Sequence, residues 1–159
     1  MSLIGSLPTS LTAATGALAY VALLVALWLG VLALMATFGG WNSVARDYPA
    51  SGVPTVGERI TIGSLLFGRG WVGLGTYRNA VTLILSPRGF ELWTRTLFHF
   101  QHPGIAVPWR EVRVYEKGKT FGQPFIQLTL SQGQHLRISG RAATALVHAL
   151  ALAAAGPER

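Results

Sequence analysis

Residues 17–38, ALAYVALLVALWLGVLALMATF, decide the fold of this chain. Only Tyr20, Gly30 and Thr37 interrupt a continuous run of apolar side chains. A helix rises about 1.5 Å per residue, so this run covers about 33 Å, enough to cross a hydrocarbon core of about 30 Å. Every Lys, Arg, Asp and Glu lies at or after Arg46. The run therefore predicts one transmembrane helix, followed by one domain outside the membrane.

Two other interpretations of the run fit less well. A cleaved signal peptide has a basic start and an apolar region of roughly 7–15 residues, whereas this run is longer and has no basic start. A buried helix of a soluble protein is rarely apolar on all faces over such a length. We therefore expect a retained span at residues 17–38, preceded by an N-terminal segment at residues 1–16.

The basic residues near the span all lie on its C-terminal side, at Arg46, Arg59 and Arg69. The positive-inside rule then places the N-terminus outside and the C-terminal domain in the cytoplasm. The formal net charge of +7 suits a domain that lies against anionic lipids. It suits equally a basic domain with no such contact, and this alternative stays open.

Small side chains recur along the predicted span, at Ala19, Ala22, Ala26, Gly30 and Ala33. Spacings of three and four residues place them on one face of a helix. Small residues let a second helix approach closely, and such packing drives helix association in lipid. We predict that this helix-packing stripe docks on another transmembrane subunit or on a second copy of the chain. Because Ala and Gly are common in spans, an accidental stripe is the alternative.

Residues 39–57 predict a juxtamembrane connector. Trp41, Arg46 and Tyr48 follow the span directly, and we expect them at the membrane interface, where aromatic rings are enriched. Pro49 ends any short helix in this segment, and the Gly- and Pro-bearing residues 50–57 lead into the domain.

Residues 58–156 predict a mainly-β domain of the α+β class. In residues 80–85, AVTLIL, Val81, Leu83 and Leu85 alternate with Thr82 and Ile84. Ser86-Pro87-Arg88-Gly89 makes the turn of a hairpin with residues 90–97. Ser139 can cap a C-terminal helix over residues 141–155. We predict about six or seven short strands in a roll or open barrel that this helix closes. Residues 72–77 lead into residues 80–85, and the other predicted strands are residues 59–67, 105–107, 109–116, 125–130 and 135–138, with a turn at 117–119.

This pattern resembles bacterial single-span membrane proteins with a pleckstrin-homology-like domain of unknown function. The resemblance covers about residues 41–150 and is carried by Tyr48-Pro49 at the membrane exit, the Ser-Pro-Arg-Gly turn and the Pro108-Trp109-Arg110-Glu111 step. It implies a seven-strand roll with a C-terminal helix. Domains of this plan usually bind peptides, other proteins or lipid headgroups and are rarely enzymes.

Residues 68–75, GRGWVGLG, match a G-x-G-x-x-G pattern. A dinucleotide-binding loop needs a helix after the glycines, whereas a β-rich stretch follows here. A kinase-type loop needs a catalytic-loop motif, which this chain lacks. We therefore predict a loop between strands. Arg69 and Trp71, with Arg78 close by, are candidate contacts for headgroups or a partner, since pleckstrin-homology domains bind phosphoinositides at their first such loop.

No residues form a catalytic or metal-binding pattern. His99 and His102 have H-x-x-H spacing, but Pro103 predicts a loop, and no nearby carboxylate or Cys completes a metal shell. The six acidic residues are scattered, and the serines lack a nucleophile-elbow motif. The basic residues are also scattered, which disfavours a nucleic-acid surface. We predict no enzyme activity, no catalytic residue, no metal, no cofactor and no nucleic-acid partner.

Two functions agree with these observations. The first is a structural or accessory subunit of a larger respiratory, photosynthetic or transport complex, which docks by its transmembrane helix and clamps a neighbour with its β domain. The second is a membrane-tethered, pleckstrin-homology-like module that binds lipid headgroups or a peptide.

Overall fold

The computed structural model of this chain describes residues 9–68, 76–95, 98 and 101–155. Within these residues it contains a long N-terminal helix, a short second helix, nine strands in two antiparallel sheets and a C-terminal helix. The predicted fold class, an apolar N-terminal helix followed by a mainly-β α+β domain, is confirmed. The described strands outnumber the six or seven that the sequence predicts.

The N-terminal helix α1 (Thr9–Phe38) begins before the predicted span and ends with it. Its 30 residues extend about 45 Å. The part from Ala13 to Phe38 is long and apolar enough to span a membrane. Leu18, Leu23 and Leu24 point in different directions around the helix, and all three are exposed. A helix that is apolar all round and not covered by protein is typical of contact with lipid.

The C-terminal turns of α1 pack against the domain. Leu32 and Ala36 are buried, and Met35 is partly buried against the core. One helical turn before Leu32, the ring centroid of Trp28 lies 5.6 Å from the ring centroid of Phe98. The domain therefore covers one side of α1 over its last turns, while the N-terminal part stays free.

The chain reverses after α1 at Gly39-Gly40 and enters the short helix α2 (Trp41–Asp47). Gly40 has a φ of 85°, which glycine adopts without strain. A Cβ at this position would lie only 2.9 Å from the Cβ of Phe67. Both constraints call for glycine at the point where the helix meets the domain.

Nine short strands make the two sheets: β1 (Glu58–Thr61), β2 (Ser64–Phe67), β3 (Thr76–Arg78), β4 (Val81–Ser86), β5 (Gly89–Thr94), β6 (Ile105–Pro108), β7 (Val112–Thr120), β8 (Gln123–Leu130) and β9 (His135–Ser139). The first sheet has the order β1-β4-β5-β6 and the second β3-β2-β9-β8-β7. The predicted hairpin through the Ser-Pro-Arg-Gly turn is confirmed as β4 and β5, with Ser86 opposite Gly89.

The predicted strand over residues 59–67 is in fact two strands that belong to different sheets. β1 pairs with β4, whereas β2 pairs with β3 and β9. The change of sheet occurs at Ile62-Gly63, where a Cβ on Gly63 would lie 3.3 Å from the carbonyl oxygen of Ser139. Glycine therefore allows the backbone to pass close to the end of β9.

The predicted turn at residues 117–119 is wrong, because these residues belong to β7. Gly118 faces Phe125 across the sheet, and a Cβ there would lie 2.9 Å from the aromatic ring. The chain reverses instead at Phe121 and Gly122, which have φ values of 48° and 75°. The predicted strand over 109–116 is also wrong at its start, because Trp109–Glu111 form a 3-10 helix.

The C-terminal helix α3 (Arg141–Ala155) has the predicted bounds. Its buried residues are Ala142, Ala143, Leu146 and Leu150, and it contacts strands of both sheets. Ser139, expected as its cap, lies in β9, and its hydroxyl donates to the carbonyl oxygen of Ser64 at 3.3 Å. The helix closes a core whose centre includes Leu65, Leu83, Ile126 and Leu128.

Candidate functional site

An aromatic cluster joins α1 to the domain. We call it the junction cluster and define it as Trp41, Phe67, Tyr77 and His102. The ring centroid of Trp41 lies 5.3 Å from that of Tyr77, 5.3 Å from that of His102 and 5.6 Å from that of Phe67. These tilted and edge-on arrangements are the favoured geometries for aromatic pairs. The cluster is thus a closely packed core around the first residue of α2.

Hydrogen bonds connect the junction cluster to the backbone. The indole N–H of Trp41 donates to the carbonyl oxygen of Pro103 at 2.8 Å. The hydroxyl of Tyr77 donates to the carbonyl oxygen of Met35 at 3.2 Å and lies 3.0 Å from Nε2 of His102. Burial raises the pKa of Tyr77 above its ordinary range, so the hydroxyl keeps its proton as a donor. A strand of the domain thereby binds the last turn of α1 directly.

The residues predicted at the membrane interface do not all reach a surface. The side chains of Trp41 and Tyr48 are buried in the protein, and only Arg46 is exposed. Burial also raises the pKa of the Tyr48 hydroxyl. Aromatic residues do follow the span closely in sequence. The rings of Trp41 and Tyr48, however, pack in the domain core and not in the headgroup layer.

The connector is bound to the domain along much of its length. Pro49 forms a bridge with Ile105, and the N–H of Ala106 donates to the carbonyl oxygen of Tyr48 at 2.9 Å. Further along, a single carboxylate oxygen of the buried Glu91 accepts from the N–H of Thr55 at 3.2 Å and from the indole of Trp93 at 2.7 Å. The segment after α2 therefore continues the edge of the first sheet.

The helix-packing stripe lies on a face of α1 that the domain does not cover. Ala19, Ala22, Ala26 and Gly30 are exposed, and Ala33 is half-buried. At about 100° per residue, the centre of the stripe lies about a quarter of a turn from the face that carries Leu32 and Ala36. A Cβ on Gly30 would meet no atom within 4 Å. A second helix can therefore reach the stripe beside the domain.

The candidate contacts of the glycine-rich loop are only partly described. Arg69 and Trp71 lie outside the described residues, as does His99. Arg78 is exposed at the end of β3, on the outer face of the second sheet. His102, the other member of the H-x-x-H pair, is buried in the junction cluster next to Tyr77.

Arg78 lines a cavity of about 720 Å³ together with Arg137 and Arg141, and we call it the arginine cavity. Hydroxyl and amide side chains complete most of its wall, and none of the described residues that line it is acidic. These polar residues are Thr61, Ser64, Thr76, Asn79, Thr120, Gln123 and Ser139. The structure thus adds two arginines that the sequence does not associate with Arg78.

Arg137 is held in place inside this cavity. Its Nη2 donates to the hydroxyl of Thr120 at 2.7 Å, and its guanidinium carbon lies 3.9 Å from the ring centroid of Phe125. Stacking on an aromatic face is a favoured arrangement for arginine. The alternation of residues 135–139, with Leu136 and Ile138 buried, indicates that Arg137 faces outward, but it does not reveal which strands lie beside it.

The described residues contain no group of three or more His, Cys, Asp or Glu that could hold a metal ion. The chain matches no protein-family model and no curated protein. Its function is therefore argued from two surfaces: the helix-packing stripe on α1 and the arginine cavity on the domain.

We expect Tyr77→Phe to destabilise the folded protein by about 1–2 kcal/mol, because it removes a buried donor from the Met35 carbonyl and a partner from His102. Chemical unfolding of the full chain in mild detergent, followed by circular dichroism, measures this loss. Tyr115→Phe is the matched control, since Tyr115 is exposed. Equal stability of the two variants would show that the Tyr77 hydroxyl does not hold α1 to the domain.

Proposed function

We propose that this chain is a non-catalytic accessory subunit of a larger membrane protein complex, of the respiratory, photosynthetic or transport kind. In this proposal α1 docks on a neighbouring transmembrane helix, and the β domain clamps the same neighbour at the membrane surface. The observation that carries it is the exposed stripe of small residues, placed on α1 beside the face that the domain covers.

The physics of helix association in lipid supports a docking role for the stripe. Lipid tails are as apolar as leucine, so a transmembrane helix gains little from apolar side chains alone. Close backbone approach is what stabilises a helix pair, and Ala22 and Ala26 lie one helical turn apart on the free face. The described helix α1 carries no Asp, Glu, His, Lys or Arg, which argues against an ion or proton pathway.

The domain offers a surface for the second contact of such a clamp. An open groove of about 1,340 Å³ runs between α3 and the end of the β4–β5 hairpin. Ile60, Leu85 and Trp109 line one side, and Leu152, which is 62 % exposed, lies on the other. A large exposed apolar surface on a soluble domain is a common feature of protein contact sites.

We further propose that the bilayer covers α1 from about Thr9 to about Trp28 and does not reach Phe38. The helix exceeds a hydrocarbon core of about 30 Å by about 15 Å, or about ten residues. Irregular backbone is not tolerated in contact with lipid tails. Trp28 contacts Phe98, which lies outside the strands and whose N–H donates to the carbonyl oxygen of Arg95 at 2.7 Å. The level of Trp28 then matches the interface, which tryptophan prefers.

The same placement leaves Arg46 and the rest of the basic domain on the C-terminal side of the bilayer. The positive-inside rule then favours a cytoplasmic domain and an external N-terminus in a bacterial inner membrane. The exposed position of Arg46 supports this orientation, because an accessible cation can meet anionic lipids.

Single-cysteine labelling tests the depth and the orientation together, because the chain has no native cysteine. We expect Leu34→Cys to react with a membrane-impermeant maleimide in inside-out vesicles, since Leu34 is exposed and lies beyond Trp28. Leu23→Cys is the protected control and Val53→Cys the labelled control. Protection of Leu34→Cys would favour a span that extends to Phe38, and labelling of Val53→Cys only in right-side-out vesicles would reverse the orientation.

Substitution in the stripe tests the docking. We expect Ala26→Leu to lower the yield of co-purifying membrane subunits at least tenfold after mild-detergent purification, because the larger side chain separates the two helix backbones. Ala17→Leu makes the same change on the opposite face of α1 and should leave the yield unaltered. A lone monomer, or equal yields from both variants, would rule out docking through the stripe.

A second proposal is that the chain acts as a membrane-tethered binding module of the pleckstrin-homology-like plan, for lipid headgroups or a peptide. The arginine cavity favours it, because the cavity lies on the outer face of the second sheet and the apolar core does not use it.

A further inference from the structure

The register of the second sheet brings two distant arginines to one face. Ser64 on β2 pairs with Arg78 on one side and with Ser139 on the other. Leu66, two residues along, pairs with Thr76 and with Arg137. With strands about 4.8 Å apart, the Cα atoms of Arg78 and Arg137 are about 12 Å apart along a diagonal. Two long side chains at that separation can converge on one bound group.

Among the described residues that line the cavity, none is acidic and could neutralise the charge around this diagonal. Arg78 and Arg141 are exposed and form no ion pair with any residue that the structure describes. Hydroxyls of Ser64, Thr76 and Ser139 lie on the same face of the sheet as Arg78 and Arg137. The cavity therefore combines three positive charges with neutral hydroxyl groups.

Arg137 is oriented before any ligand arrives. The hydrogen bond to Thr120 and the ring of Phe125 fix the plane of its guanidinium. A fixed side chain loses less conformational entropy on binding than a free one. The guanidinium fork matches the oxygens of a phosphate or carboxylate in two parallel hydrogen bonds.

The number of charges distinguishes between these two anions. A carboxylate brings one negative charge and two oxygens, whereas a phosphomonoester brings a charge of about −1.5 to −2 and three acceptor oxygens. Three arginines and several hydroxyls exceed what one carboxylate can use. The volume of about 720 Å³ also leaves room for more than the phosphate itself.

We propose that the arginine cavity binds a phosphomonoester, held by Arg137 and enclosed by Arg78 and Arg141. Such a group can belong to a soluble phosphorylated compound or to a phosphomonoester lipid. This inference deepens the second proposed function by naming the ligand, and it does not depend on docking through α1.

Two probes with the same phosphate separate these sources. Calorimetric titration of the full chain in neutral detergent with glycerol 3-phosphate measures binding of the soluble form. Native mass spectrometry of the chain with phosphatidic acid or phosphatidylcholine measures binding of the lipid form. We expect saturable binding of at least one phosphomonoester, no binding of phosphatidylcholine, and weaker binding at high salt.

Substitutions then locate the site. We expect Arg137→Gln to weaken binding at least tenfold, and Arg137→Lys to weaken it several-fold, because lysine keeps the charge but loses the fork and the stacking. Arg78→Gln should also weaken binding several-fold. Because Arg78 is exposed, a folding defect would not account for this loss. Arg59→Gln removes the same charge outside the cavity and should bind as the unmodified chain does.

Each contrary result has a defined meaning. Failure of both phosphomonoesters to bind would overturn this inference and leave peptide binding by the tethered module untouched. Equal losses in Arg59→Gln and Arg78→Gln would also overturn it, because the attraction would then come from the overall charge. Competition between glycerol 3-phosphate and phosphatidic acid would support one shared site.

Discussion

The attachment of α1 to the β domain depends on the burial of one side chain, Trp41. Its ring packs against Phe67 and Tyr77 on the second sheet and against His102. Tyr77 then reaches the last turn of α1, and Pro103 accepts the indole proton. An aromatic group of this size contributes several kilocalories per mole when fully buried, at about 25 cal/mol for each Å² removed from water.

This attachment fixes where the two candidate surfaces lie relative to each other. The stripe and the domain-covered face lie on neighbouring sides of α1, so a helix that docks on the stripe also meets the domain. The arginine cavity is built on β2, β3 and β9, and β2 and β3 also supply Phe67 and Tyr77 to the junction cluster. The inner side of this sheet therefore holds the helix, while its outer side presents the charges.

The elements that local sequence determines could be predicted. The apolar run specifies α1, Ser86-Pro87-Arg88-Gly89 specifies one hairpin, and the change of periodicity after Ser139 specifies α3. The sheet change at Gly63 and the packing role of Gly118 could not be predicted, because both depend on atoms of distant strands. An aromatic residue after a span fits a membrane interface and a domain core equally well, which explains the outcome for Trp41 and Tyr48.

The site was predictable only in part for the same reason. Arg78 stands out beside the glycine-rich loop, whereas Arg137 and Arg141 become its neighbours only through the pairing of β2 with β9. A single sequence contains no signal for that pairing, since each strand alone shows only which face is apolar.

The bridge between Pro49 and Ile105 has a consequence for the solubility of the domain. β6 is the last strand of the first sheet, and an open strand edge is a template for aggregation. The connector lies along this edge through Tyr48 and Ala50 and places a proline there, which cannot donate to a further strand. The segment that tethers the domain to α1 thus also covers the β6 edge against another chain, so a protease that removes the tether would release a domain with this edge uncovered.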